Sequence, residues 1–147
     1  MRALFLALAL GIVAVPAWAV TDSTGIAFDS SAPAQRIVTL MPSLAEMAAD
    51  LLGEDITRIQ GVTEQTTQPA MLAKLPSVGR LDHINIETVV SLKPDLVLAL
   101  KEGNSKTQIE RLRSLGLKVF VFSISSLRSV STGLRQMGEV LGRQNQA

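Results

Sequence analysis

The 147-residue sequence contains no cysteine and no tyrosine, and it has only one tryptophan and one histidine. Without cysteine there is no disulfide framework and no thiolate metal site, so a metal ion would need several carboxylates. A single histidine forms a catalytic triad only where a nucleophile and an orienting acid accompany it. The formal net charge is +1, aromatic residues make up 3% of the chain and no basic run occurs, so nucleic-acid binding is not expected.

The N-terminal residues have the pattern of a cleavable signal peptide. Met1-Arg2 forms a short positive region, residues 3–15 are apolar, and Ala17-Trp18-Ala19 is the small-x-small sequence of a cleavage site. A transmembrane helix is the competing interpretation, but it needs roughly 20 apolar residues and Pro16 interrupts this run. We therefore expect residues 1–19 to direct export to the periplasm. Since no cysteine follows, a lipid anchor is not expected.

From Arg36 onward, short apolar runs alternate with segments of helical periodicity. Residues 20–35, rich in Ser, Ala, Thr and Asp, are interpreted as an exposed leader with a turn at its start. Strands are expected at residues 37–40, 56–62, 96–100 and 119–122. The last two runs lack polar alternation, which is typical of parallel strands covered on both faces. This order predicts the α/β class, with a parallel sheet and helices on both faces.

Two of the expected helices begin with the spacing of a capping box. Ser43 with Glu46, and Ser105 with Gln108, could each satisfy the other's free backbone donors in the first helical turn. In that interpretation Glu46 has a structural role, and a functional role is the less favoured alternative.

The other two helices have simpler start signals. Asn85 is expected to cap a short helix, which Pro94 ends by biasing Lys93 away from the helical region. Ser125 or Ser126 is expected to cap the last helix. Its apolar residues at helical spacing are Leu127, Val130, Leu134, Met137 and Leu141.

In open α/β sheets, ligands bind outside the carboxyl ends of the strands. Four segments are predicted to lie there, at residues 41–43, 63–68, 78–85 and 101–104. None of them carries a Gly-rich phosphate fingerprint, a recognisable nucleophile–base pair or paired carboxylates. The sequence therefore predicts a binding function rather than an enzyme, and no cofactor or metal site. Asn104 is interpreted as a helix cap.

Three charged or titratable residues in segment 78–85 have two interpretations each. His83 is a solvated loop residue or, alternatively, a ligand contact. Arg80 could bind an anionic ligand group through its planar guanidinium, or it could be solvated or ion-paired in its loop. Asp82 is interpreted as a turn former in preference to a polar contact.

Glu87 lies at the start of the second expected helix and has a different environment from Glu46. Its charge suits the helix macrodipole by a few tenths of a kcal/mol. The helical spacing places Glu87 and Ser91 away from the apolar face of Ile86, Val89 and Val90. Glu87 is therefore available to a partner.

Three stretches resemble one known family. They are RIVTLMPSLAE, LPSVGRLDHINIETVVSLKPDLVLA and GNSKTQIERLRSLGLKVFVF, in this order and spacing. Together they resemble the periplasmic vitamin B12 and iron-chelate binding proteins of ABC importers, from Arg36 to about Gly142. The resemblance implies two α/β lobes joined by a long helix, with the ligand clamped between them. Residues 36–142 would form the N-terminal lobe and residues 143–147 the start of the inter-lobe helix, with the second lobe absent.

The resemblance also implies roles for individual residues. The acidic residue that docks the first lobe on the ABC permease falls on Glu87. Vitamin B12 binders place Tyr and Trp in their site loops, and the matching positions here are Gln65, Gln68, Leu81 and Leu100, so the usual corrin contacts are missing. The ligand-binding residues that we expect on this basis are Pro42, Gln65, Arg80, Leu81 and Leu100.

The expected function is therefore the periplasmic substrate-binding component of an ABC importer for a metal chelate. A cobalamin-like corrinoid, haem or a siderophore would be the ligand, and the inner membrane would be reached only through the permease. The alternatives are a degenerate or truncated fragment without transport function and, less favoured, an exported α/β enzyme.

Overall fold

The computed structural model describes residues 19–147. The predicted signal peptide, except for Ala19, lies outside the described residues. Within residues 19–147, no helix has the length and apolar character that crossing a membrane requires. The strands are β1 Ala19–Thr21, β2 Ala27–Asp29, β3 Ile37–Thr39, β4 Ile59–Gly61, β5 Gly79–Arg80, β6 His83–Ile84, β7 Leu96–Leu100 and β8 Val119–Phe122. The α-helices are α1 Pro42–Leu52, α2 Ile86–Ser91, α3 Lys106–Ser114 and α4 Leu127–Leu141.

Four parallel strands form the central sheet, in the order β4-β3-β7-β8. Ile37 is opposite Leu96, and Leu98 is opposite Phe120. Successive side chains alternate between two cores, because neighbouring residues of a strand point to opposite faces. One core holds Leu98 and Phe120 together with α1 and α4, and the other holds Val97 with α2 and α3. The predicted parallel sheet with helices on both faces is confirmed.

The N-terminal segment differs from the exposed leader that its composition indicated. β1 and β2 form an antiparallel hairpin, and only 5% of Val20 and of Asp22 is exposed. The Ser23 amide donates to the Val121 carbonyl at 2.9 Å, so the hairpin turn covers the free edge of β8. Phe28 packs on Phe120 with ring centroids 5.0 Å apart. Polar composition marks residues 24–35 correctly as mostly exposed, but it does not reveal that the few apolar residues are anchors.

Both predicted capping boxes are absent from the structure. α1 begins two residues early, at Pro42, because proline has a helical φ and no N–H that needs a partner. Ser43 is therefore inside the first turn, and its side chain does not cap the helix. α3 begins after Ser105 as expected, yet the Ser105 side chain makes no cap hydrogen bond. Such a bond depends on the side-chain rotamer, which residue spacing does not determine.

The remaining start and stop signals are confirmed. The Thr88 amide donates to Asn85 Oδ1 at 3.0 Å at the start of α2. Lys93, before Pro94, leaves the helical region with a φ of 49°. Ser126 caps α4 through a reciprocal arrangement with Ser129.

Three local expectations are wrong. Residues 56–58 belong to a 3-10 helix, Gly53–Arg58, and only Ile59–Gly61 is a strand. The apolar stripe of α4 is buried at Met137 and Leu141, but Leu127 is 93% exposed and Val130 is 36% exposed. Helical spacing shows which face of a helix is apolar, but it does not show how much of that face packs against the rest of the fold. Val90, expected on the apolar face of α2, is 40% exposed. Residues 143–147 include a turn after Gly142, which ends α4 in the left-handed region, and their place at the start of an inter-lobe helix stays a prediction.

Candidate functional site

The carboxyl ends of β3, β7 and β8 lie side by side, because these strands are parallel neighbours in register. The segments that follow them, at residues 40–42, 101–105 and 123–126, therefore share one edge of the sheet. The last of these segments was not among the four that the sequence indicated. Its four residues, Ser-Ile-Ser-Ser, show no motif, and only the sheet order places them at this edge.

The Asn104 side chain forms hydrogen bonds to the ends of two strands instead of capping α3. Its Oδ1 accepts a hydrogen bond from the Leu100 amide at 2.9 Å, and its Nδ2 donates to the Leu40 carbonyl at 2.9 Å. Asn104 is buried, with 8% of its surface exposed. A buried amide whose donor and acceptor are both paired holds its neighbours in place, since separating them would leave unpaired polar groups.

Glu102 joins the segment after β7 to the segment after β8. Its Oε1 accepts from Ser123 Oγ at 2.5 Å, and its Oε2 accepts from the Ile124 amide at 3.2 Å. The hydrogen bond from Ser123 holds the pKa of Glu102 below its ordinary value against the opposing effect of burial, and the Ile124 amide and Lys101 add to the lowering. No sequence motif singles out Glu102. The available signal was a carboxylate two residues after one strand and a serine directly after the next.

A second pair of segments meets at the other side of the edge, after β4. The Val78 amide donates to the Val62 carbonyl at 2.9 Å, and the Glu64 amide donates to the Gly79 carbonyl at 2.9 Å. These bonds bring the segment that contains Gln65 against the segment that contains Arg80. Gln65 Oε1 is buried and has no hydrogen-bond partner among the described residues. An oxygen with almost no accessible surface is out of reach of a ligand in this side-chain conformation, so the unpaired Gln65 oxygen does not by itself indicate a bound molecule.

Arg80, Asp82 and His83 lie on the short β5–β6 hairpin. Arg80 Nε is 3.3 Å from Asp82 Oδ1, and both side chains are largely exposed. This geometry matches the ion-paired interpretation of Arg80 and the turn interpretation of Asp82. The His83 residue is exposed. Gly79 has a φ of +96°, and a Cβ there would lie 2.6 Å from the His83 carbonyl, so the hairpin requires glycine at this position.

The predicted ligand residues fall into two groups. Gln65, Arg80 and Leu81 lie on the segments joined after β4, and Pro42 and Leu100 lie on the strand ends that Asn104 ties together. Leu81 and Pro42 are half-buried. Leu100 is only 9% exposed and packs in the core on the α1 side, so little of its side chain is accessible.

Glu87 is the second residue of α2 and is exposed. The Asn85 cap fixes the backbone beneath it. One turn later, Ser91 Oγ donates to the Thr88 carbonyl at 2.8 Å, so Ser91 does not occupy the space around Glu87. The carboxylate is therefore presented on the surface of the helix.

The edge is open rather than enclosed. A cavity of about 600 Å³ adjoins it between the hairpin turn and α3, and Lys101 and Asn104 belong to its lining. The predicted ligand residues do not line this cavity. Within residues 19–147, no group of three or more His, Asp or Glu side chains could hold a metal ion. The arrangement can support a large ligand on one side, but it does not surround one.

Known proteins are similar to this chain in sequence and in fold. The family model of the periplasmic binding protein matches residues 37–147. The vitamin B12-binding protein of Vibrio vulnificus (strain YJ016) is 32% identical over 110 residues, which are 74% of this chain and 39% of that protein. The vitamin B12-binding protein of Salmonella paratyphi A is 36% identical over 104 residues, which are 71% of this chain and 38% of that protein.

Two solved structures have the same arrangement of elements. A periplasmic haem-binding protein from Pseudomonas aeruginosa has a TM-score of 0.70 and 29% identity, over 77% of this chain and 40% of that one. The periplasmic vitamin B12-binding protein of Vibrio cholerae has a TM-score of 0.70 and 26% identity, over 78% of this chain and 44% of that one. The chain thus spans about two-fifths of the length of the curated relatives that it matches.

Proposed function

Because the chain belongs to the periplasmic binding protein family, we propose that it forms the N-terminal lobe of a substrate-binding component of an ABC importer. The ligand is a metal chelate, namely a cobalamin-like corrinoid, haem or a siderophore. Relatives described as vitamin B12-binding and haem-binding support this class. The family consists of substrate-binding proteins, and the lobe carries no enzymatic activity of its own in this proposal.

The proposal includes export and domain limits. Curated and structural relatives are periplasmic binding proteins. The signal peptide pattern supports cleavage after Ala19, so the mature chain starts at Val20. Residues 36–142 form the lobe, and a second lobe completes the binding cleft of the whole protein. Amino-terminal sequencing of exported protein tests this point, and an intact Met1 in a membrane fraction would contradict it.

The observation that carries the ligand proposal is the open carboxyl edge of the parallel sheet, where the two groups of predicted ligand residues lie. The same edge lacks Trp and Tyr, so the ligand gains little ring stacking from this lobe.

The partner of the lobe is the ABC permease, and Glu87 is the docking residue in this proposal. Its exposure and its place on a capped helix support a charged contact with a basic residue of the permease. The ligand-binding residues remain Pro42, Gln65, Arg80, Leu81 and Leu100. The buried state of Leu100 limits its contribution to an edge contact.

An NMR titration of the ¹⁵N-labelled chain with cyanocobalamin, haemin and a ferric siderophore tests the function. We expect weak, saturable shifts at the amides of Gln65, Arg80 and Leu81, with an affinity weaker than micromolar, because this lobe contacts only one side of the ligand. The opposite end of the sheet, for example Arg36 and Lys118, should not respond. Absence of shifts with all three compounds would favour a degenerate fragment, and turnover of a compound would favour the enzyme alternative.

A further inference from the structure

The segment after β7 is bonded to the strand on each side of it. On one side, buried Asn104 donates to the Leu40 carbonyl at the end of β3. On the other side, Glu102 accepts from Ser123 and Ile124 after β8. Three adjacent strand ends are thus connected through residues 101–104.

The Glu102 contact begins where the backbone ladder stops. At the end of the β7–β8 pair, the Lys101 amide donates to the Phe122 carbonyl at 2.8 Å. The next bonds between the two segments go to the Glu102 carboxylate. Its two oxygens take two donors, one from a side chain and one from the backbone, so the carboxylate extends the ladder by two residues beyond the strands.

The segment that Glu102 holds leads directly into α4. Ser126 and Ser129 cap each other at the start of this helix. The Ser125 and Ser126 amides donate to Ser129 Oγ at 3.0 and 2.9 Å. The position of residues 123–124 therefore sets where the first turn of α4 begins, at the edge where the proposed ligand binds.

We propose that Glu102 is a positioning residue that holds the β8–α4 segment in a fixed place at the ligand-binding edge. The effect of Glu102 on ligand binding rests on the proposed function. The lowered pKa of Glu102 is in accord with the positioning role, because the bonds from Ser123 and Ile124 favour the ionised carboxylate. Asn104 holds residues 101–104 to the end of β3 in the same way, but its side chain is buried. Because Glu102 is exposed, it can be replaced without creating a cavity in the core.

The test compares Glu102→Ala, Glu102→Gln and the control Glu54→Gln in the purified chain. Glu54 is an exposed glutamate in the 3-10 helix after α1. Amide hydrogen exchange is read residue by residue. In Glu102→Ala, we expect the Ile124 amide to exchange about tenfold faster, because it loses a charged hydrogen bond. In Glu102→Gln, the remaining amide oxygen still accepts a bond, so exchange should stay within about threefold of the original chain. The control should leave exchange at Ile124 unchanged.

Binding of cyanocobalamin and of haemin to the same variants gives the second readout. Glu102→Ala should weaken the binding of whichever probe the original chain binds by about threefold or more, and Glu102→Gln should restore it. Rescue by glutamine separates placement of the segment from a direct charge effect on the ligand. Unchanged exchange at Ile124 in Glu102→Ala would overturn the proposal. So would faster exchange with unchanged binding, because the segment would then be held without consequence for the ligand.

Failure of the proposed function has a separate outcome. If the original chain binds neither probe, the ligand proposal fails for those compounds, and the exchange rates alone decide whether Glu102 positions the segment.

Discussion

At the scale of single residues, Asp22 is the most heavily bonded side chain of the N-terminal hairpin. Its two oxygens accept from the Thr24 and Ile26 amides, the Val121 amide and the Arg113 guanidinium, whose Nη2 lies 2.6 Å away. Burial by itself would raise the pKa of Asp22, but the bonds from Thr24, Ile26 and Val121 outweigh it and hold the pKa below its ordinary value. The ionised carboxylate therefore connects the hairpin to α3 and β8.

Replacing Asp22 with alanine should lower the free energy of unfolding by about 3 kcal/mol at pH 7, because it leaves Arg113 and several amides without their acceptor. Urea unfolding measures this. Because the folded pKa is depressed, the stabilisation is complete above the unfolded pKa of about 4 and is lost as the pH falls through the folded value. The difference between the original chain and Asp22→Asn should therefore shrink below about pH 4.

Asp82 provides the matched control for Asp22. It also pairs with an arginine, Arg80, but both side chains are exposed. Asp82→Asn should change the free energy of unfolding by less than about 1 kcal/mol. Equal losses for Asp22→Asn and Asp82→Asn at pH 7 would contradict the role assigned to burial.

A second prediction at the scale of single residues concerns Asn104. Asn104→Ala should lower the free energy of unfolding by about 2 kcal/mol, since the Leu40 carbonyl and the Leu100 amide lose their buried partner. Asn104→Asp keeps an acceptor for Leu100 but turns a carboxylate oxygen towards the Leu40 carbonyl, so it should destabilise at least as much. Urea denaturation of both variants checks the order, and a stable Asn104→Asp chain would be the contrary result.

At the scale of elements, α3 and α4 show that a capping residue in sequence is not always a cap in structure. Ser126 makes reciprocal bonds at the start of α4, whereas Ser105 occupies the same position of α3 without a side-chain bond. Both are exposed serines immediately before the first helical residue. The difference between them lies in rotamer and local environment.

We expect Ser126→Ala to lower the free energy of unfolding by about 1 kcal/mol and Ser105→Ala by no more than a few tenths. The substitution, the exposure and the position relative to the helix are matched, so the two variants differ in the cap bond. Thermal or urea unfolding of the two variants measures both losses of stability. Similar losses at the two serines would mean that the bond contributes nothing measurable.

At the scale of the whole molecule, the proposed function gives one lobe two different surfaces for two partners. The open carboxyl edge of the sheet suits a large ligand, and exposed Glu87 on α2 suits a charged protein contact. These are independent in the proposed function, because Glu87 does not belong to either group of ligand residues. A change at Glu87 should therefore affect docking without affecting the ligand.

Glu87→Ala, introduced into the complete two-lobed protein, should leave folding and chelate affinity nearly unchanged. A surface ion pair with a permease arginine is expected to contribute only about 0–1 kcal/mol, but it should steer the encounter. The association rate with the permease in proteoliposomes should fall, most clearly at low salt where screening is weak. Loss of chelate binding with intact permease association would place Glu87 in the ligand cleft instead.

The sequence determined the class of this fold because its signals are local. Uninterrupted apolar runs such as residues 96–100 are stable only when covered on both faces, and the alternation of strands and helices leaves few topologies for a parallel sheet. The Asn85 cap and the break at Lys93 also depend on neighbouring residues alone. The order and spacing of the three stretches that resemble one family were sufficient for the family as well.

Only the tertiary structure decided which distant groups meet. Glu102 bonds residues 21 and 22 positions away, Asn104 bonds a carbonyl 64 positions away, and Asp22 bonds Arg113 across 91 positions. No periodicity relates such pairs, because their contact follows from the order of strands in the sheet. The exposure of Leu127 has the same origin, since a helical stripe is buried only where the fold supplies a second surface.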